Sequence, residues 1–307
     1  LAALAPWRFI VFWDQGEAGP IDQEREEGAM ARRIGTLWLG LGVLAAGLGV
    51  ATTAAAGVLQ EIKARGKLIV GLAAVYEPFE FKQGGKIVGY DVDIIEGIAK
   101  ELGVQAELVD VAFTGLLGGL EAKRFDMLLS GLAPTKERMK RVNFSIPYAD
   151  ASRVLVIKAT TANITKMEDL SGKTVATELG SASERFTRAF EASLKAKGLP
   201  GYKAVKTYEQ LAEAFLDLSI GRSDAVMDTR PHAMTMMKKK PGEYKVATPV
   251  GERRVFAAVF RKEDDDLRAA VNEILTRMRK DGRLDELQRK WFGFVFEDLP
   301  YDFTPTE

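Results

Sequence analysis

Residues 125–141 read FDMLLSGLAPTKERMKR, and the fold follows from how this stretch is divided. Phe125-Asp126-Met127-Leu128-Leu129 is dense enough in apolar side chains to be a buried strand. Gly131 and Pro134 turn the chain, and Thr135 is placed to cap a short helix. In open α/β sheets, ligands sit at such strand-to-helix turns. The cap sets Arg138 in the first helical turn, at the positive end of the helix dipole, where cations are disfavoured. Two readings follow. Within KERMKR, Arg138 is one charge of a solvated run, paired by a carboxylate elsewhere. Alternatively the turn is an anion site, where an arginine fork and free N–H groups grip a carboxylate.

Outward from this stretch, strand and helix signals alternate. Before it come KLIVGLA as a strand, YEPFEF as loop or edge because of Pro78, and a hairpin around Gly84-Gly85. YDVDIIEGIAKELGV follows as a helix, with Ile95, Ile98, Ala99 and Leu102 on one face and Gly103 as its stop. QAELVDVAF is a strand and GLLGGLEAKR a short helix. After NFSIPYADAS the pattern restarts with the strands RVLVIK and KTVATE, a helix over SASERFTRAFEASLKAKG, the strand KAVKTY, a helix over EQLAEAFLDLSIGR and the strand SDAVMD. The chain closes with VFAAVF, a helix whose stripe is Leu267, Ala270, Val271, Ile274 and Met278, and a last short helix after Gly282. This predicts two α/β lobes built on largely parallel sheets. In the second, Ser181 and Glu184 form an S-x-x-E capping box at another strand-to-helix turn.

The bulk numbers exclude several classes. The chain has 307 residues, 47% hydrophobic and 28% charged, so it is globular and long enough for two domains. Lysine plus arginine and aspartate plus glutamate number 43 each, which offers nothing to nucleic acid. With no cysteine there is no disulfide, thiolate metal site or cysteine nucleophile, and the single histidine, His232, makes no His-rich metal site. No cofactor is expected, and His232 is given no role. Residues 30–56 carry Met30, Arg32 and Arg33, an uncharged stretch from Ile34 to Val50, and Ala54-Ala55-Ala56, the three parts of a cleavable signal peptide. Residues 1–29, ahead of Met30, are read as a start-site artefact. The expected location is the periplasm.

Five segments, in order, resemble the periplasmic amino-acid-binding proteins of ABC transporters, the bacterial family 3 solute-binding proteins. They are YEPFEFKQGGKIVGYDVDI, FTGLLGGLEAKRFDMLLSGLAPTKERMKRVNFSIPY, EDLSGKTVATELGSASE, GRSDAVMD and DGRLDELQRKWFG, spanning nearly all of residues 66–293. The resemblance implies a two-lobed, type II periplasmic-binding-protein-like α/β fold with two hinge crossings. Lobe 1 would be 66–149 plus 255–300, and lobe 2 would be 151–252. It further implies a monomeric, non-enzymatic receptor for an amino acid or related small carboxylate, with an ABC transporter permease as partner. The alternative on the same fold is an exported enzyme like cyclohexadienyl dehydratase, for which Glu178 or Asp228 could serve as acid.

Carried over by position, Arg138 matches the arginine that grips the ligand α-carboxylate, and Thr135 the small polar residue of the same turn. Gly131 matches a position whose backbone meets the ligand. Ser181, with Ala182 beside it, matches the carboxylate contacts from the other lobe. Tyr76 and Phe113 match the aromatic walls around the ligand side chain. There are departures. Ala133 stands where many relatives have a hydroxyl, and Ala73 where the glutamine-binding type has an aspartate. In SDAVMDTRP, Thr229 occupies the place of the aspartate that holds the ligand's ammonium, and Asp228 lies one residue early. Either Asp228 still reaches the cleft, which is the favoured expectation, or the ammonium is held otherwise, or the ligand has none.

Overall fold

The structure, a computed structural model, describes residues 57–305. The readings of residues 1–29 and 30–56 lie outside the described residues. Helix α1 (Val58–Arg65) buries Ile62 and leads into β1 (Lys67–Leu72), where Leu68, Val70 and Leu72 are fully buried at alternate positions. Strands β2 (Val75–Tyr76), β3 (Glu80–Gln83) and β4 (Lys86–Val88) form a small antiparallel sheet, turned at Gly84-Gly85. YEPFEF therefore does contribute strands, on either side of Pro78, which itself is left out of the ladder because it has no N–H to give. Helix α2 (Tyr90–Leu102) buries Ile94, Ile95, Ile98 and Ala99 and stops at Gly103, whose left-handed backbone lets its N–H reach the carbonyls of Ala99 and Lys100. Then come β5 (Gln105–Asp110), α3 (Leu116–Glu121), β6 (Met127–Leu128), α4 (Lys136–Arg141) and β7 (Val142–Asp150).

The second sheet is built from β8 (Arg153–Lys158), β9 (Thr174–Glu178), β10 (Ala204–Tyr208), β11 (Ala225–Thr229) and β12 (Tyr244–Val250), with α5 (Ala182–Ala196), α6 (Leu211–Ser219) and α7 (Arg230–Lys239) between them. The chain then returns to the first sheet as β13 (Val255–Arg261) and ends with α8 (Asp265–Lys280) and α9 (Arg283–Phe292). The sheet orders are β5-β1-β6-β13-β7 and β10-β9-β11-β8-β12.

The sheets are mixed, which corrects the expectation of largely parallel ones. Parallel pairing holds for β5-β1-β6 and β10-β9-β11, whereas β13 runs antiparallel to β6 and β7, and β8 antiparallel to β11 and β12. The reason is the two crossings: strands that leave one sheet for the other arrive in the reverse sense. The crossings lie side by side. The Ala151 N–H donates to the Arg254 carbonyl at 2.8 Å, and the Arg254 N–H to Ser152 Oγ at 3.4 Å. NFSIPY falls within β7, while α7 and β12 are further elements that the sequence patterns did not separate. In α8 the buried face holds Leu275 in addition to Leu267, Val271, Ile274 and Met278, while Ala270 is only partly buried.

Aromatic rings form the centre of the first lobe. Phe79 meets Phe292 at 5.0 Å and Phe256 at 5.4 Å, and Phe292 meets Phe296 at 4.8 Å. Each such buried ring contributes on the order of 2–3 kcal/mol through burial alone. Tyr76 stacks on Phe79 at 5.1 Å and carries the cluster to the edge of the second lobe.

Candidate functional site

A cleft with an empty volume of about 590 Å³, part of it open solvent, lies between the two sheets and is lined from both. Thr135 caps α4, accepting the Arg138 N–H at 3.2 Å, so the cap sends the Arg138 side chain back over the turn. The guanidinium is buried. Its Nη1 donates to the Ala133 carbonyl at 3.0 Å and its Nη2 crosses the cleft to the Gly180 carbonyl at 3.3 Å. Among the described residues, no carboxylate makes an ion pair with it. Burial, then the neighbouring Arg185 charge, pulls its pKa down to about 9. The Phe113 ring lies 5.7 Å from Arg138 Cζ and forms a wall beside it.

The facing wall is the first turn of α5. Ser181 Oγ accepts the Glu184 N–H at 3.0 Å and donates to the Glu178 carbonyl at 2.8 Å. The predicted capping box is only half made, because the Glu184 carboxylate takes the Gly180 N–H at 2.7 Å instead of that of Ser181. The left-handed Gly180 brings its amide to that position, one residue ahead of the cap. Ala182 and Ser183 line the cleft. They occupy the first two positions of a 15-residue helix, where N–H groups have no acceptor within the helix.

Of the sequence-derived residues, Tyr76, Phe113, Gly131, Ala133, Arg138, Ser181, Ala182, Asp228 and Thr229 are brought together around the cleft. Thr135 is not: it is fully buried behind the wall, spent as the cap. Gly131 turns its N–H away from the cleft, to Asp91 Oδ2 at 3.2 Å and the Tyr148 hydroxyl oxygen at 3.1 Å. Asp228 does line the cleft, but its Oδ1 accepts the Thr229 N–H at 2.6 Å and its Oδ2 lies 2.7 Å from His232 Nδ1. The Thr229 hydroxyl is 2.6 Å from that of Tyr76, joining the lobes.

Sequence reasoning missed two groups, His232 and the Glu80–Asp91 pair, and offered Glu178 only as an acid on the enzyme alternative. His232, given no role, is buried, holds Asp228 and stacks on Tyr76 at 4.8 Å. Its signal was the four-residue spacing from Asp228 across the strand-to-helix turn. Glu80 lines the cleft and accepts the Ser130 hydroxyl hydrogen at 2.7 Å. Its remaining oxygen, Oε2, and Asp91 Oδ1 have no other partner and face each other as a carboxyl pair. Burial first, then the charge of Asp91, raises Glu80 well above the carboxylate range, and burial raises Asp91 to about 7 against the opposing pull of its bonds from Tyr148 and Gly131. One proton shared by the pair, resident on Glu80, accounts for both. Glu178, at the end of β9, is pushed up to about 8 by burial and then by Asp228, with Arg138 acting in the opposite direction.

The family model "Bacterial extracellular solute-binding proteins, family 3" matches residues 68–294. The chain is 35% identical over 252 residues to the L-cystine-binding protein TcyJ of Escherichia coli (strain K12), covering 81% of this chain and 91% of that protein. It is 34% identical over 230 residues to the arginine-binding extracellular protein ArtP of Bacillus subtilis (strain 168), covering 74% and 86%. Among solved structures, the ancestral amino acid-binding protein AncCDT-1, a precursor of cyclohexadienyl dehydratase, is 37% identical with a TM-score of 0.69, over 77% of this chain and 100% of that one. The curated relatives are binding proteins by name, not enzymes. The aligned region takes in both sheets, both crossings and every residue set around the cleft, and on that ground the chain belongs to the bacterial extracellular solute-binding proteins, family 3.

Proposed function

We propose that this protein captures an α-amino acid in the cleft outside the cytoplasmic membrane and delivers it to an ABC importer permease. The observation that carries this reading is Arg138: a buried guanidinium at the meeting of the two lobes, opposite the open N–H groups of α5, in no ion pair with any described carboxylate. An α-carboxylate bound there would accept from the guanidinium and from the Ala182 and Ser183 amides together. Tyr76 and Phe113 would flank the rest of the ligand. The relatives named for cystine, arginine and histidine support an amino acid as the ligand class. Closure around the ligand then stabilises the shut state through contacts that need both lobes.

The test is a thermal-shift screen of L-amino acids on the purified protein, followed by calorimetry with the best ligand. A stabilising, stoichiometric ligand that loses its effect in R138A supports the reading. Turnover of prephenate or arogenate by the purified protein would instead make it a dehydratase.

A further inference from the structure

Among the described residues, three carboxylic side chains line the cleft: Glu80, Glu178 and Asp228. Two of them are already engaged. Glu80 accepts from Ser130 and faces Asp91. Both oxygens of Asp228 are taken, by the Thr229 N–H and by His232, and its side chain is only 1% exposed. Glu178 differs. Its backbone is fixed, with β9 paired to β10 at Tyr208 and the Glu178 carbonyl accepting the Ser181 hydroxyl hydrogen. Its carboxyl, however, makes no hydrogen bond to any described residue. It stands at the head of the same turn that presents Ser181, Ala182 and Ser183 to the cleft.

We propose that Glu178 is the counter-ion for a cationic nitrogen of the ligand, a protonated amine or guanidinium, and so a determinant of specificity. The proposal rests on the reading of the cleft as an amino-acid site. A zwitterion would then meet complementary charges, its carboxylate on Arg138 and the α5 amides and its cation on Glu178. The titratable and charged groups that face Glu178 are Asp228 on β11, Arg138 on α4, and Tyr76 and Glu80 on the small sheet. Without ligand, burial and Asp228 favour the neutral form of Glu178 at pH 7. Binding a cation favours the ionised form, so one proton leaves as the ligand enters.

The experiment uses calorimetry on wild type, E178Q and R138A. The probes are the common L-amino acids and L-cystine, and, around arginine, L-citrulline, which lacks the side-chain cation, and 5-guanidinopentanoate, which lacks the α-ammonium. E178Q should weaken the tightest wild-type amine-bearing ligand by about 100-fold, the scale of a buried charged pair losing one partner. A loss shared by arginine and citrulline but absent for 5-guanidinopentanoate assigns the α-ammonium to Glu178, and the converse assigns the side-chain cation. Wild type should release about one proton per ligand at pH 7, read from heats in buffers of different ionisation enthalpy, and E178Q none. E178Q should melt no lower than wild type without ligand, so a folding defect is separable. Affinities in E178Q within about threefold of wild type, under 1 kcal/mol, overturn the proposal while R138A still abolishes binding. Failure of every amine-bearing probe to bind wild type also overturns it. Unchanged binding in R138A instead overturns the underlying reading of the site.

Discussion

Tyr76 from the first lobe and His232 from the second stack face to face, ring centroids 4.8 Å apart and planes 17° apart. The Tyr76 hydroxyl also meets Thr229 Oγ1, and the Lys239–Glu77 ion pair lies alongside. One aromatic side chain thus joins the lobes by its face and by its edge, and Asp228 fixes the histidine from behind. Contacts the protein makes with itself therefore hold the two lobes together here.

That arrangement makes closure sensitive to a single oxygen. Y76F removes the inter-lobe bond and should cost about 0.5–1.5 kcal/mol of closed-state stability, weakening ligand binding several-fold. T229V should do the same, and the double variant should be no worse than either single one, because both delete one interaction. Small-angle scattering of the ligand-free protein, with calorimetry, checks this. Additive losses would mean that the two hydroxyls act separately.

Arg138 carries the largest single effect. R138A should cost about 3–5 kcal/mol of binding to an α-amino acid, on the scale of truncating a buried charged pair. R138K should recover only part, since an ammonium cannot reproduce the fork that reaches Ala133, Gly180 and a carboxylate together.

The Glu80–Asp91 pair predicts a pH dependence. A carboxyl whose pKa is raised by folding is held protonated in the native state and ionises on unfolding. Its contribution is fully present below the unfolded value near 4 and is lost as pH rises through the folded value, about 7 for Asp91 and well above 4.5 for Glu80. Wild type should therefore lose stability between pH 5 and 8, by up to about 1.4 kcal/mol per pH unit for each proton released. E80Q keeps an N–H donor toward Asp91 and an acceptor for Ser130, and its melting temperature should change less over the same range. Parallel profiles for the two proteins would rule out the shared proton.

Gly89, the residue before α2, adopts φ 141°, where a Cβ would sit 2.1 Å from the Phe79 carbonyl oxygen. G89A should destabilise by about 2–5 kcal/mol, combining backbone strain with overpacking. The same substitution at Gly84, also at positive φ but with nothing within 4 Å, should cost less, and chemical denaturation of both compares them directly.

Much of this was legible in the sequence because periodic segments declare themselves. The α2 face, the Gly84-Gly85 hairpin and the Thr135 cap all depend on residues close in the chain, and the structure has them where the patterns put them. The antiparallel pairing of β13 with β7 was not legible, since strand sense depends on how often the chain changes sheet. Nor could the fate of Asp228 be read: its partner His232 lies on the next element, and the order of residues does not say which face of the turn each takes. Glu80, and the burial of Glu178, escaped for a related reason. A carboxylate in a string of letters looks solvated, and only the fold decides that one gains a partner carboxyl and the other gains none.

The paired crossings at Ala151–Ser152 and Arg254 bear on kinetics as well as architecture. Two tethers this close together would oppose sliding and twisting of one half against the other more than bending. A search biased toward bending is shorter, and less orientational entropy remains to be lost when the halves meet.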